Sequence, residues 1–395
     1  MSDKIKCAIC GAEAHSIKKH LEASHPEVTV AQYQAQFPEA PLHSEAYLAR
    51  VKQLQAEKKA QAEATVAAPT VAVAITSEAG EAPKYDVLVK KPLHETFELG
   101  RVKSALSAKG DPIPITTFAN TQYPDLVPAV FSGYVFDVDE LKNVILALEL
   151  KIPTYVWGHK GAGKTQLLEQ VAARTGRPLW RNQHTANTEE SHVVGQWVAR
   201  DGGTHFELGP LPLCMKNGWI YLADEYDFGL PSVLAVYQAV LEGKPLIIKE
   251  ADAANRIIKP HPNFRFVATG NTNGAGDETG LYQGTSIQNS ANYDRFGMVI
   301  HKQYMAKTAE SLILQNHVGL MKEDADKLVD FGTKIREAYA GSKISDTISP
   351  RTLIYASQIG VKRGSFRSGL QLAFINKLSS VDREIADGVA QRTFG

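Results

Sequence analysis

Thr154-Tyr-Val-Trp-Gly-His-Lys-Gly-Ala-Gly-Lys-Thr165 sets a four-residue apolar run against a glycine-rich turn ending in Lys-Thr, and the helical pattern Gln166-Leu-Leu-Glu-Gln-Val-Ala-Ala follows at once. Gly158, His159, Lys160, Gly161, Ala162, Gly163, Lys164 and Thr165 fit G-x4-G-K-T in the strand, loop and helix setting that gives this motif its meaning. Its glycines let backbone N–H groups curl around phosphate oxygens at a helix N-terminus, where Gln166 completes the first turn. Lys164 then places a cation between β- and γ-phosphates, and the Thr165 hydroxyl reaches Mg²⁺. A structural glycine-rich turn is the competing reading.

Outward from this loop, short apolar runs alternate with helical stretches: 154–157, 178–180, 219–223, 264–269 and 298–300. Strand alternating with helix predicts an α/β fold with a parallel sheet flanked by helices. Asp137-Val-Asp-Glu140 looks like a capping-box start, with Leu141, Val144, Ile145 and Leu148 on one helical face. Pro112 to Val135 is rich in proline and aromatics and reads as an extended lead-in. From about residue 303 the pattern is helical, carried by Leu312/Leu314, Leu328/Phe331/Ile335 and Leu353/Ala356/Ile359, which predicts an α-helical lid.

The apolar run Trp219-Ile-Tyr-Leu-Ala ends in Asp224-Glu225. Asp224 is placed to hold Mg²⁺ and Glu225 to polarise the attacking water as general base, the alternative being a solvated acidic turn. Phe264 to Asn271 is a further strand ending in an amide, and Asn271 is the water-positioning candidate, set against a plain Asn-Gly turn. Arg295 precedes the last strand and is the candidate for a cation supplied to a neighbour's γ-phosphate, a contribution of roughly 10³ to 10⁵ in rate in related chemistry. Arg351 opens a lid helix and is the candidate sensor of the γ-phosphate; either arginine could instead pair with a surface carboxylate.

Together these pieces resemble the MoxR-like group of AAA+ ATPases, and within it the ATPase subunits of aerobic cobaltochelatases, the CobS type. The likeness covers roughly residues 120–305 and is carried by Asp224-Glu-Tyr-Asp227, Gln238-Ala-Val-Leu-Glu242, Pro260-His-Pro-Asn-Phe-Arg-Phe, Ala268-Thr-Gly-Asn-Thr272, Gly276-Asp-Glu-Thr-Gly-Leu-Tyr-Gln-Gly-Thr285 and Tyr293-Asp-Arg-Phe296. The resemblance implies a hexameric ring or open spiral with ATP bound between subunits, and two β-hairpin inserts, here around 193–208 and 246–258. It implies a protein partner with an integrin-like metal-binding domain and, for the chelatase, a third, large subunit that inserts cobalt into a tetrapyrrole. Similar proteins are also encoded by bacteriophages. Chelatase subunits commonly carry arginine where this chain has Leu230, so a basic contact is lost.

At the N-terminus, Cys7-Ala-Ile-Cys10 followed by His20 and His25 has near Cys₂His₂ spacing, which predicts a zinc site whose metal supplies the folding free energy of a short segment. A redox pair or unrelated surface residues are the alternatives, His15 is a substitute ligand, and Cys214 reads as a core residue. With Tyr33-Gln-Ala-Gln-Phe-Pro38 the segment resembles the finger of Ros/MucR-type regulators, which bind DNA. Lys4, Lys6, Lys18 and Lys19 are balanced by Asp3, Glu13, Glu22 and Glu27, so protein recruitment is at least as well supported as DNA binding.

The 395 residues hold 43 Lys plus Arg and 43 Asp plus Glu, so formal charge is zero, which argues against a dedicated polybasic nucleic-acid binder and against a strongly acidic one. Three cysteines suit a reducing compartment, and no run spans a bilayer, so the expectation is a cytoplasmic protein with no membrane partner. The expected organisation is a zinc finger plus helix over 1–52, a flexible linker over 53–83, the α/β nucleotide-binding domain with its lead-in over 84–302 and the lid over 303–395. Three function classes follow: a chelatase-type ATP-driven motor, a nucleic-acid-targeted motor guided by the finger, and a non-catalytic ring.

Overall fold

The computed structural model describes residues 5–14, 17–25, 30–38, 40–42, 44, 86–200 and 202–395. The linker expected over 53–83 and His15 lie outside the described residues. The chain divides into two compact units, Met1–Ala79 and Gly80–Gly395. In the first, a short antiparallel ladder pairs Ile5–Lys6 with Glu13–Ala14, and the helices Ile17–Ser24 and Val30–Gln36 follow. Cys7, Ile17, Leu21 and Tyr33 form its small core, against which Phe37 packs.

The second unit is built on five parallel strands: β1 (Thr154–Trp157), β2 (Leu179–Gln183), β3 (Ile220–Asp224), β4 (Arg265–Gly270) and β5 (Met298–His301). Their order is β5-β1-β4-β3-β2. Inserting β4 between β1 and β3 brings the C-terminal ends of three strands together, which is where α/β sheets place ligands. Each expected run lies within its strand or one residue off it, and β2 and β3 extend farther, taking in Arg181 to Gln183 and Asp224. The extension follows from backbone pairing, Gln183 lying opposite Asp224, rather than from hydrophobicity.

Side-chain alternation covers both faces of the sheet. Val156, Leu179, Ile220, Leu222, Val267 and Ile300 share one core with Leu141, Val144, Ile145 and Leu148 of α1 (Val138–Leu150) and Leu167, Leu168 and Val171 of α2 (Lys164–Thr175). Tyr155, Tyr221, Ala223, Phe266 and Ala268 point the other way, onto Leu211, Cys214 and Met215 of α3 (Pro210–Asn217) and onto Leu234, Tyr237 and Leu241. Cys214 is thus a core residue. Asp137 caps α1 by accepting from the Asp139 and Glu140 N–H groups, but Glu140 pairs with the buried Lys302 ammonium instead of reaching back to the cap.

The lead-in is extended in its first part, where Pro114–Asn120 is a strand paired antiparallel with Val87–Pro92. The two inserts form hairpins, Gly195–Arg200 with Gly203–Leu208 and Leu246–Ile247 with Ile257–Ile258. A second helical core follows, in α4 (Lys307–Val318), α5 (Lys322–Ala340), α6 (Pro350–Arg363), α7 (Phe366–Ala373) and α8 (Ser380–Phe394), where Leu328, Phe331, Ile335 and Leu353 are fully buried. Among the described residues no helix is long and apolar enough to cross a membrane.

Candidate functional site

The loop after β1 fits closely against β5 and the helical region. Gly158 has φ 152°, and a Cβ there would strike the Lys302 carbonyl oxygen; one on Gly161, at φ 69°, would strike the Ser349 side chain that caps α6. Ala162 is buried, Gly163 starts α2, and Gln166 is exposed on its first turn. His159 Nδ1 lies 2.9 Å from the Tyr282 hydroxyl, which also accepts from the Lys160 N–H at 3.0 Å. The Lys160 ammonium pairs with Asp346, and the Tyr304 hydroxyl donates to the Lys160 carbonyl. Loop, Gly276–Thr285 run and helical region therefore meet at one place.

Lys164 Nζ donates to the Gly158 carbonyl at 2.7 Å, the His159 carbonyl at 3.2 Å and Asn271 Oδ1 at 3.0 Å. Burial holds its ammonium down to about 8, against the pull of Asp227, Asp224 and Glu225 and with a push from Arg351. A cation so stripped of water gains most from phosphate oxygens.

Asp224 ends β3 fully buried. Its Oδ1 accepts from the Thr165 hydroxyl at 2.8 Å and from the Thr269 hydroxyl, and its Oδ2 accepts from Arg181 Nε at 2.7 Å. Glu225 follows in the left-handed region, φ 52°, which turns its side chain out of the strand pattern. Its N–H donates to Thr269 Oγ1, and its Oε2 accepts from Gln183 Nε2 at 2.7 Å.

Asn271 is set by its backbone. Asp227 Oδ2 accepts from the Asn271 N–H at 2.8 Å, the Thr272 N–H at 2.9 Å and the Thr272 hydroxyl at 3.0 Å. Burial pushes the Asp227 carboxyl up even so. Arg295 stands apart: its Nε donates to Glu242 Oε1 at 2.7 Å and Nη1 to the Ala291 carbonyl. Arg351 is exposed on the first turn of α6, with Lys164 within reach of its charge. Leu230 is exposed at the start of the Pro231–Leu234 turn.

Sequence reasoning overlooked Arg181, Gln183, Thr269 and the anchoring role of Asp227. Two polar side chains at alternate positions, Arg181 and Gln183, directly after the apolar run 178–180 were the signal available. A strand leaving an apolar core with alternate polar residues on one side has that side facing solvent or a site.

Thr165 Oγ1 and Asp224 Oδ1 are hard oxygen donors side by side, the donor set magnesium takes alongside substrate phosphates. In the N-terminal unit, ligand atoms of Cys7, Cys10, His20 and His25 lie within 4.8 Å of one another, with Cys10 Sγ 3.1 Å from His20 Nε2. Two sulfurs and two imidazole nitrogens at this spacing fit a tetrahedral zinc shell.

The model of the AAA domain, dynein-related subfamily, matches residues 153–291, and that of the CbbQ/NirQ/NorQ C-terminal region matches residues 310–392. The chain is 32% identical over 294 residues to the aerobic cobaltochelatase subunit CobS of a Sinorhizobium species, an alignment covering 72% of this chain and 86% of that one. It is 24% identical to CbbQ of Hydrogenophilus thermoluteolus, over 57% of this chain and 80% of that one. It is likewise 24% identical to NorQ of Paracoccus denitrificans, over 68% of this chain and 94% of that one.

Proposed function

The chain belongs to the MoxR-like group of AAA+ ATPases and is a P-loop ATP hydrolase, and from that premise we propose that it acts as a ring or open spiral remodelling a protein partner in a metal-insertion complex of the cobaltochelatase kind. The observation that carries the reading is the pairing of Thr165 with Asp224 at 2.8 Å beside Lys164 and Glu225. Lys164 turns from the Gly158 and His159 carbonyls to the β- and γ-phosphates. Thr165 and Asp224 would hold magnesium, which would supply neutralisation of phosphate charge. Glu225 takes the proton of the attacking water, Gln183 holding its carboxylate meanwhile, and Asn271 orients that water. The 430 Å³ cavity lined by Val135, Phe136, Val138, His301, Lys302 and Tyr304 takes the base, since the Lys302 carbonyl oxygen lies where a Cβ on Gly158 would stand.

Arg295 acts on the nucleotide of a neighbouring subunit, and Arg351 senses the γ-phosphate from the helical side. Zinc, bound by Cys7, Cys10, His20 and His25, would hold the N-terminal unit together. The partner carries an integrin-like metal-binding domain, as the chelatase likeness suggests, with a large tetrapyrrole-binding subunit beyond it.

Capture from the native host with a Glu225→Gln chain, loaded with ATP and tagged after Gly395, tests this. Recovery of a large chelatase subunit or an integrin-like metal-binding protein is the expected result. A second reading, a nucleic-acid-targeted motor, draws on the clustered Cys and His ligands together with the likeness to Ros/MucR-type fingers. Recovery of DNA or a nuclease, lost when Cys7 and Cys10 are replaced, would establish it and remove the chelatase assignment.

A further inference from the structure

Arg181 lies where the proposed chemistry has no task for it. Its Nε and Nη2 stand 2.7 Å and 2.6 Å from Asp224 Oδ2, so two guanidinium nitrogens converge on one carboxylate oxygen. The other oxygen of Asp224 is taken up by the Thr165 and Thr269 hydroxyls. The pair is lopsided: the Asp224 side chain is 3% exposed, whereas that of Arg181 is 45% exposed. One partner is fixed in the sheet, and the other can leave without crossing the core. A second acceptor is at hand, for Arg181 Nη1 is 3.8 Å from Glu169 Oε1 on α2. Burial raises the Glu169 carboxyl and Arg181 opposes the rise, consistent with a guanidinium shared between two acids.

We propose that Arg181 is a positioning residue for metal entry: its guanidinium occupies the Asp224 carboxylate until magnesium arrives with nucleotide, then transfers to Glu169. This rests on the magnesium role given above to Thr165 and Asp224. A buried carboxylate beside other acids needs a counter-charge, and an arginine on the strand supplies it. A divalent ion entering the same site repels that guanidinium, so the metal binds at the cost of displacing it. Nucleotide phosphates add the negative charge that tips the exchange. Arg181 thereby ties metal binding to nucleotide and keeps free divalent ions out of the site.

The test is a Mn²⁺ titration of the full chain followed by electron paramagnetic resonance, with and without a non-hydrolysable ATP analogue. In R181Q the ternary complex should hold Mn²⁺ about tenfold more tightly than wild type, and Mn²⁺ should bind without nucleotide. R181K, which keeps the charge, should stay near wild type. E169Q removes the second acceptor and should weaken Mn²⁺ binding several-fold. Unchanged or weaker Mn²⁺ binding in R181Q would overturn the proposal, because a merely structural ion pair gives that result. Should R181Q lose its folded tryptophan fluorescence, E169Q decides, and wild-type Mn²⁺ affinity there overturns the proposal. Binding of a fluorescent ATP analogue in EDTA is measured alongside. If wild type binds neither analogue nor metal, the nucleotide-site reading itself fails; if it binds both and Arg181 has no influence, only the exchange fails.

Discussion

Asp227 is the joint on which the Asn271 segment hangs, and replacing it separates acceptor from charge. Asp227→Ala strips the partner from two backbone N–H groups and one hydroxyl, those of Asn271 and Thr272. Each buried N–H left unpaired costs about 1–3 kcal/mol. Part is returned, because the carboxylate itself is costly to bury and its Oδ1 has no hydrogen-bond partner among the described residues. A net loss of about 2–4 kcal/mol is expected, which for a unit of about 300 residues lowers the melting temperature by about 3–6 °C. Asp227→Asn keeps an acceptor of the same shape and should cost less than about 1 kcal/mol.

The assay is thermal melting by intrinsic fluorescence, since Trp157, Trp180, Trp197 and Trp219 all lie in the second unit, paired with ATP turnover. Turnover should fall far more in the alanine than in the asparagine variant, with nucleotide binding retained in both. The pH behaviour has a definite sign. Burial raises the folded carboxyl of Asp227 above its unfolded value, so its contribution is fully present below about pH 3.9 and is lost as pH rises through the raised value. Asp227→Asn lacks this titration, so wild type should gain stability relative to Asp227→Asn as pH falls from the raised value toward about 3.9. Equal damage from alanine and asparagine would refute the acceptor argument, and wild-type melting with wild-type turnover in Asp227→Ala would refute the joint altogether.

Glu225→Gln should bind ATP normally and hydrolyse it roughly 10² to 10⁴ times more slowly, checked by single-turnover phosphate release; turnover at the wild-type rate would remove Glu225 as base. Lys164→Ala should abolish nucleotide binding, read by equilibrium binding of a fluorescent analogue. Arg295→Ala should bind ATP yet fail to turn it over, and mixing with Lys164→Ala subunits, which retain Arg295, should restore part of the activity; no restoration would count against action on a neighbour. Removing zinc with a chelator, or replacing Cys7 and Cys10 by serine, should erase the structure of the N-terminal unit and leave ATPase activity intact, measured by amide exchange over residues 5–44 beside turnover.

Much of the fold is legible along the chain because it depends on local rules. An apolar strand running into G-x4-G-K-T announces the nucleotide loop, and alternating apolar runs and helical periods announce a covered parallel sheet. The grouping of Cys7, Cys10, His20 and His25 is likewise legible in their spacing, with His20 on the helix Ile17–Ser24 and His25 just past its end. The order β5-β1-β4-β3-β2 is not local, for nothing in the periodicity of 264–269 states that it enters between β1 and β3. That insertion and the outer placement of β2 decide the side-chain partnerships at the site. Arg181 meets Asp224 and Gln183 meets Glu225 across some forty residues of sequence, because their strands are neighbours in register. An arginine and a glutamine on a strand's polar side read as solvated until a neighbouring strand end presents carboxylates to them, and only tertiary packing determines which strand that is.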